Sequence, residues 1–460
     1  MRYFILLLSL LSFSVPKAFS AETGIDAYRA KIRSWVISHA RRPLPTIAPE
    51  EENDNAADLV DALTITSLAK MENEGLQKAS LNVRPWSDYY WPTFAGQIAN
   101  RYADPNYNAA LLWKDNFDYL TQNIGRGKPE ELSPAEKYDL LVGDQGFSMT
   151  RRMIGEGVSA ADADGKVEPW FGLCHGWAAA SMMLPRPKKA VTVVGASGNE
   201  ITFLPSDLKA LATLLWANGA GRTRFVSGRC SEKKPKRGEN SRELNPDCFD
   251  TNPATWHLSI VNQIGINKRS FVMDASAGYE VWNQPVAGYQ YGYENPNTNE
   301  SSYTLAKAKV RLKNMKNDRY AKFRARETEF VVNIIMAVTY VSENTPTNAP
   351  TDSPSNDSER VVIYSYDLEL DRDDKIVGGE WHSSLHPDFL WVPVLGSRAT
   401  SVGDVMLNRA ADRSEWNGRE PIPASWAQAA SVSAARGQPL ARVVEELFRQ
   451  SQTGLLDCCF

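Results

Sequence analysis

Read from the N-terminus, hydrophobic and polar positions along the chain change rhythm several times. A single basic residue, Arg2, precedes a largely apolar run from Tyr3 to Val15, and the small residues Ala18, Ser20 and Ala21 follow. A charged start, a short apolar run and a small-residue exit predict a secretory signal peptide over 1–20, cleaved after Ser20. Ile25 to Arg42 has helical periodicity and leads into an acidic, proline-bearing stretch, RRPLPTIAPEEENDN, and Ala56 to about Ala79 reads as a second amphipathic helix. Residues 21–83 are therefore expected to form a helical, pro-like N-terminal region, and residues 84–460 the main domain.

Within the main domain, Ser133-Pro134-Ala135-Glu136 combines an N-cap, a proline at the first helical position and a glutamate able to close a capping box, so a helix should begin there. Ser206-Asp207 opens LKALATLLWANG, a second marked helix ending at Asn218-Gly219. From Trp256 the pattern becomes β-branched and aromatic: HLSIVNQIG, SFVMDAS, EFVVNIIMAVTYV and ERVVIYSYDLELD read as strands. The polar segment SENTPTNAPTDSPSND between the last two reads as a loop, since strands resume directly after it. Helices first and strands later predict an α+β fold.

Composition changes this picture little. With 460 residues, 43% hydrophobic and 23% charged, the chain is an ordinary globular sequence, and a net charge of -4 gives no global reason to bind nucleic acid or an anionic membrane. Beyond the signal no segment approaches the roughly 18 apolar residues of a membrane span, so a secreted or periplasmic protein is expected. Export gives the five cysteines a sharper meaning, because thiols outside the cytosol tend to pair. Cys230 and Cys248 bracket a polar, turn-rich segment and are expected to form a disulfide; Cys458 and Cys459 are adjacent, where mutual pairing is strained, and their state is left open.

That leaves Cys174, in Trp170-Phe171-Gly172-Leu173-Cys174-His175-Gly176-Trp177, followed by the helix-forming AAASMML. A thiol in the first turn of a helix faces unpaired N–H groups and the positive end of the helix dipole, which favours a thiolate nucleophile and supplies donors for an oxyanion. A buried structural cysteine is the plain alternative. A thiol nucleophile needs a base and a group to orient it. Of the five histidines, His39 lies in the N-terminal region and His175 is the immediate neighbour of the thiol. His257 and Asp274 stand seventeen residues apart on what read as two strands joined by a polar turn, a hairpin able to set imidazole beside carboxylate. His386 and His382, in GGEWHSSLHPDFLW, are the competing bases. The aspartates Asp371, Asp373 and Asp374 lack calcium-loop spacing and read as a hairpin turn. No metal or other cofactor is expected. Trp170, Trp177 and Trp282 are the candidate walls of a substrate site, and GYEVWNQPVAGYQYGYE the candidate exposed subsite.

Several of these segments resemble one family. Val281-Trp282-Asn283-Gln284-Pro285-Val286 with Gly288-Tyr289 is similar to the surface peptide motif of the oomycete-type transglutaminases, the transglutaminase-elicitor family. The resemblance extends to Pro85-Trp86-Ser87-Asp88, Tyr90-Trp91-Pro92, the segment around Cys174, Asp250-Thr251-Asn252-Pro253 and the GGEW and HPDFLW segments, and covers about 84 to 395. Ala287 departs from the motif, where a basic residue is usual, as do the residues after Tyr289. The resemblance implies a papain-like core, with the nucleophile at a helix N-terminus packed on an antiparallel sheet. It also implies a secreted enzyme that joins protein glutamine to lysine or another primary amine through a cysteine thioester and releases ammonia. Cys174, His257 and Asp274 are then the expected catalytic set. The alternatives are a cysteine peptidase or amidase, and a non-catalytic surface-binding effector.

Overall fold

A computed structural model describes residues 54–452 apart from 110–112, 231, 234–235, 237–244, 246–247 and 276–277. The signal sequence, His39, Cys458 and Cys459 lie outside the described residues. The described residues form one compact unit.

An antiparallel sheet dominates the second half of the chain. Its strands are β1 (Lys78–Ser80), β4 (Thr223–Val226), β5 (Val272–Asp274), β6 (Asn283–Glu294), β7 (Ser301–Ser302), β8 (Val310–Arg311), β9 (Phe330–Ser342), β10 (Ser358–Leu370), β11 (Ile376–Trp381) and β12 (Leu390–Pro393). The order is β11-β10-β9-β6-β5-β12-β4, with β1 and β7 also on β6 and β8 on β9. A separate hairpin joins β2 (Val191–Val194) to β3 (Glu200–Phe203). Strand β9 shows why the sheet forms: Val332, Ile334, Met336 and Val338 alternate onto one fully buried face, each contributing roughly 1.5–3 kcal/mol of apolar burial. The loop between β9 and β10 is a hairpin connection, and the two strands pair along their whole length.

Helices form the other layer. The Pro134–Val142 helix begins at the expected capping box, in which Ser133 Oγ accepts from the Glu136 N–H at 3.2 Å and Glu136 Oε2 accepts from the Ser133 N–H at 2.9 Å. The Pro205–Asn218 helix packs against the Cys174–Met183 helix, and Gly176 allows their approach: a Cβ there would lie 2.2 Å from the Thr213 carbonyl.

Three expectations are corrected. Residues 56–79 form no continuous helix: Ala56–Leu59 and Leu68–Asn73 are short helices, and β1 joins the main sheet through β6. HLSIVNQIG is helical, as Pro253–Ile260 followed by a wider π turn over Val261–Ile266. Its start signal was present in the sequence: Asn252 caps by accepting from the Ala254 N–H at 2.8 Å, and Pro253 occupies the first helical position. Finally, NQPVAGYQYGYE is no exposed loop but β6, buried at its start between β5 and β9.

Candidate active site

Helix and sheet meet around Cys174. Ala178 and Ala179 of the Cys174–Met183 helix pack with Trp170, Val272, Val281, Phe389 and Trp391, so the first turn of that helix stands against the strand ends of β5, β6 and β12. Cys174 is the first helical residue, as the sequence suggests, and is 5% exposed. Its thiol donates to the Val281 carbonyl at 3.8 Å and accepts from Asn283 Nδ2 at 3.3 Å. Asn283 is itself fixed, because its Oδ1 accepts from Trp391 Nε1 at 2.8 Å. Burial pushes the Cys174 thiol above its ordinary range, the carboxylates of Glu343 and Asp274 push the same way, and donation from Asn283 offsets only part.

A cleft of about 770 Å³ opens onto the sulfur, with Trp170, Phe171, Trp216, Phe225, Phe389 and Trp391 among its walls. Trp170 Nε1 is buried and meets no acceptor among the described residues, and the Arg229 guanidinium lies 5.8 Å from the centre of the Trp170 ring. Of the other expected walls, Trp177 is fully buried, donates to the Trp86 carbonyl at 2.8 Å and belongs to the helical core. Trp282 stands edge-on to Tyr90 with ring centres 5.4 Å apart.

The hairpin expected to bring His257 to Asp274 is not formed. His257 lies on the Pro253–Ile260 helix, in the sheet-side core, where Nδ1 meets the Tyr366 hydroxyl at 2.8 Å and the ring stands edge-on to Tyr291. Burial holds its pKa down at about 3, so it is neutral there. Asp274 ends β5, which pairs with β6 and β12. Asp274 is the register partner of Asn283, so the two side chains share a sheet face and Asp274 stands beside the amide that touches the sulfur. Its Oδ1 accepts from the Trp282 N–H at 3.2 Å.

Beyond Asp274 lie Asp388, Asp250 and His386, one of the competing bases read from the sequence. Asp388 is buried, and that burial, together with the neighbouring charges of Asp250 and Asp274, pushes its carboxyl well above the usual range. His386 Nδ1 lies 3.2 Å from the Pro387 carbonyl and Nε2 lies 3.5 Å from Asp250 Oδ2. The Cys230–Cys248 disulfide is present, and the Cys230 N–H donates to Asp388 Oδ2 at 3.4 Å. His382 lies elsewhere, against Asp367 at 3.3 Å and stacked on Tyr320. His175 lines the cleft. Among the described residues no group of three or more His, Cys, Asp or Glu side chains is arranged to hold a metal ion. Asp371 instead accepts the N–H groups of Asp373 and Lys375 at 2.8 and 2.9 Å in the β10–β11 turn.

This site falls within the span of a known family. A model of the transglutaminase elicitor family matches residues 61–413. The chain belongs to the transglutaminase elicitor family. Among solved structures the chain is similar to the GP42 transglutaminase from Phytophthora sojae, at 20% identity and a TM-score of 0.48, with 80% of this chain and 98% of that chain covered. No curated protein matches the chain. Membership makes this a transglutaminase-type protein, and Cys174, Asp274, Asn283 and His386 all lie inside the matched span. Asn283 and Trp391, which carry the contact with the sulfur, both sit in the motifs that carry the family resemblance.

Proposed function

We propose that the protein is an exported protein-glutamine γ-glutamyltransferase with Cys174 as nucleophile. Residues 1–20 direct export, and the disulfide together with the absence of any membrane-crossing helix among the described residues is consistent with that route. The observation that carries the enzymatic reading is the contact of Asn283 Nδ2 with Cys174 Sγ at 3.3 Å at the head of an aromatic cleft. A buried structural thiol needs no locked donor and no opening to solvent.

In this reading the cleft takes the glutamine side chain of a protein donor, and Trp170 Nε1 donates to a carbonyl of the bound chain. The sulfur attacks the carboxamide carbon as its proton passes to Asp274. The oxyanion that forms accepts from Asn283 Nδ2 and from N–H groups in the first turn of the helix. Collapse breaks the C–N bond, the proton goes to the departing nitrogen, and ammonia leaves a thioester on Cys174. A lysine or other primary amine then attacks that carbonyl, the C–S bond breaks, and the amine proton returns through Asp274 to sulfur. Aromatic walls limit water, the competing nucleophile. Asp274 takes the role that the sequence analysis gave to His257, because register sets it beside the thiol's partner while His257 is committed to Tyr366. Asp388 lies next to it, its N–H donating to the Asp274 carbonyl at 3.3 Å.

The test is ammonia release and incorporation of a fluorescent amine with a glutamine peptide, for wild type and Cys174→Ala. Loss of both in the variant is expected. Amine incorporation surviving in Cys174→Ala refutes the reading, and ammonia release that no amine diverts into product identifies an amidase instead.

A further inference from the structure

The cleft that opens onto Cys174 is lined from both layers of the fold, and each layer contributes a buried polar atom that meets no partner among the described residues. From the sheet side comes Trp170, 8% exposed, which packs with Val272, Phe389 and Trp391 and whose Nε1 has no acceptor. From the helical side comes Gln97, 7% exposed, whose Nε2 donates to Thr93 Oγ1 at 3.4 Å and whose Oε1 is buried without a donor. Both residues line the cleft. Buried polar groups are as a rule paired, because an unmade bond forfeits the desolvation of the atom. An unpaired donor and an unpaired acceptor at one cleft point to a ligand that supplies the complement of each.

Backbone contacts tie Gln97 to the nucleophile. The Tyr90 carbonyl accepts from the Leu173 N–H at 2.6 Å and the Phe171 carbonyl from the Thr93 N–H at 2.8 Å, so residues 90–93 run along the loop that leads into Cys174. Gly172 permits this approach, since a Cβ there would stand 2.5 Å from the Tyr90 carbonyl. The chain then turns through Gly96 at φ +83° and Gln97 at φ +51°, and the Gln97–Ala99 turn packs on the Ser148–Ala160 helix, whose last turn also lines the cleft. A polypeptide main chain offers one N–H and one carbonyl at each residue, which match Gln97 Oε1 and Trp170 Nε1 together. The carboxamide of the donor glutamine is taken up at Cys174 and Asn283, so the N–H that reaches Gln97 is a main-chain one.

We propose that Gln97 Oε1 accepts a main-chain N–H of the donor polypeptide while Trp170 Nε1 holds one of its carbonyls, so that the donor is recognised through its backbone from both layers of the cleft. The inference rests on the acyl-transfer reading above for the identity of the donor. Turnover is removed by working in Cys174→Ala, and dissociation constants are read by titration calorimetry with a glutamine peptide and its N-methyl scan, in which each main-chain N–H is blocked in turn. Blocking one N–H should weaken binding about tenfold. Gln97→Met should weaken the parent peptide by the same factor and make that N-methyl group cost nothing further. Because Oε1 makes no bond among the described residues, Gln97→Met should leave the urea midpoint in place. Parent-peptide binding unaltered by Gln97→Met overturns the proposal, and so does an N-methyl penalty that persists in full beside it. Weakened binding that comes with a lowered urea midpoint marks Gln97 as a structural residue and overturns it too. Ammonia release by the wild type from the same peptide is read separately: its absence removes the acyl-transfer reading, while the titrations still decide whether Gln97 holds a peptide N–H.

Discussion

Replacing Asn283 by alanine removes the amide that donates to Cys174 Sγ and also strips Trp391 Nε1 of its acceptor. A hydrogen bond to a charged partner contributes about 1.5–3 kcal/mol, which at about 1.4 kcal/mol per factor of ten lowers the thiolate population below its pKa by roughly 10- to 100-fold. Loss of an oxyanion donor costs about 10²–10³ in kcat, so single-turnover acylation should fall at least as far. Asn283→Asp separates chemistry from folding: it keeps an oxygen for Trp391 but sets a carboxylate against the sulfur. Alkylation by iodoacetamide at pH 7, read by mass on the peptide carrying Cys174, should slow in both variants. The urea midpoint should drop clearly in Asn283→Ala and much less in Asn283→Asp. Both variants reacting at the wild-type rate, with intact acylation, would refute the role given to Asn283.

Other perturbations follow from the same geometry. Because burial raises the Cys174 thiol, wild-type alkylation should climb with pH through a midpoint above that of a free thiol in the same buffer, and a midpoint below it would contradict the site's electrostatics. Asp274→Asn should abolish single-turnover amine incorporation while His257→Ala retains it; the reverse pattern would return the base to His257. Arg324 meets Asp367 at 2.7 and 2.9 Å and Asp318 at 3.0 Å, with both Arg324 and Asp367 buried, so Arg324→Leu should destabilise by about 3–5 kcal/mol in chemical denaturation. Burial alone would raise the Asp367 pKa, but His382 and Arg324 hold it below the ordinary value; its stabilisation is thus complete above the unfolded carboxyl's pKa and is lost as pH falls through the lower folded one. The Arg324→Leu deficit should therefore shrink in acid. Gly176→Ala forces a Cβ to 2.2 Å from the Thr213 carbonyl and should cost about 1–3 kcal/mol, seen as a lower melting temperature.

Local signals in the sequence determined much of this protein. The capping box at Ser133, the alternation of β9 and β10, the cysteine at a helix start and the pairing of Cys230 with Cys248 all depend on neighbours in sequence or on spacing. The acid–base partner was beyond such signals. HLSIVNQIG carries β-branched residues that suit strand or buried helix equally, and Asn252-Pro253 before it tipped the balance to helix, removing the hairpin on which His257 depended. Likewise, the polar and aromatic VWNQPVAGYQYGYE reads as surface until β5, β9 and β1 satisfy its backbone and bury it. Which side chains face the sulfur was decided by strand register, since a shift of one residue turns every side chain to the opposite face. Asp274 stands beside Asn283 only because β5 and β6 pair in that register.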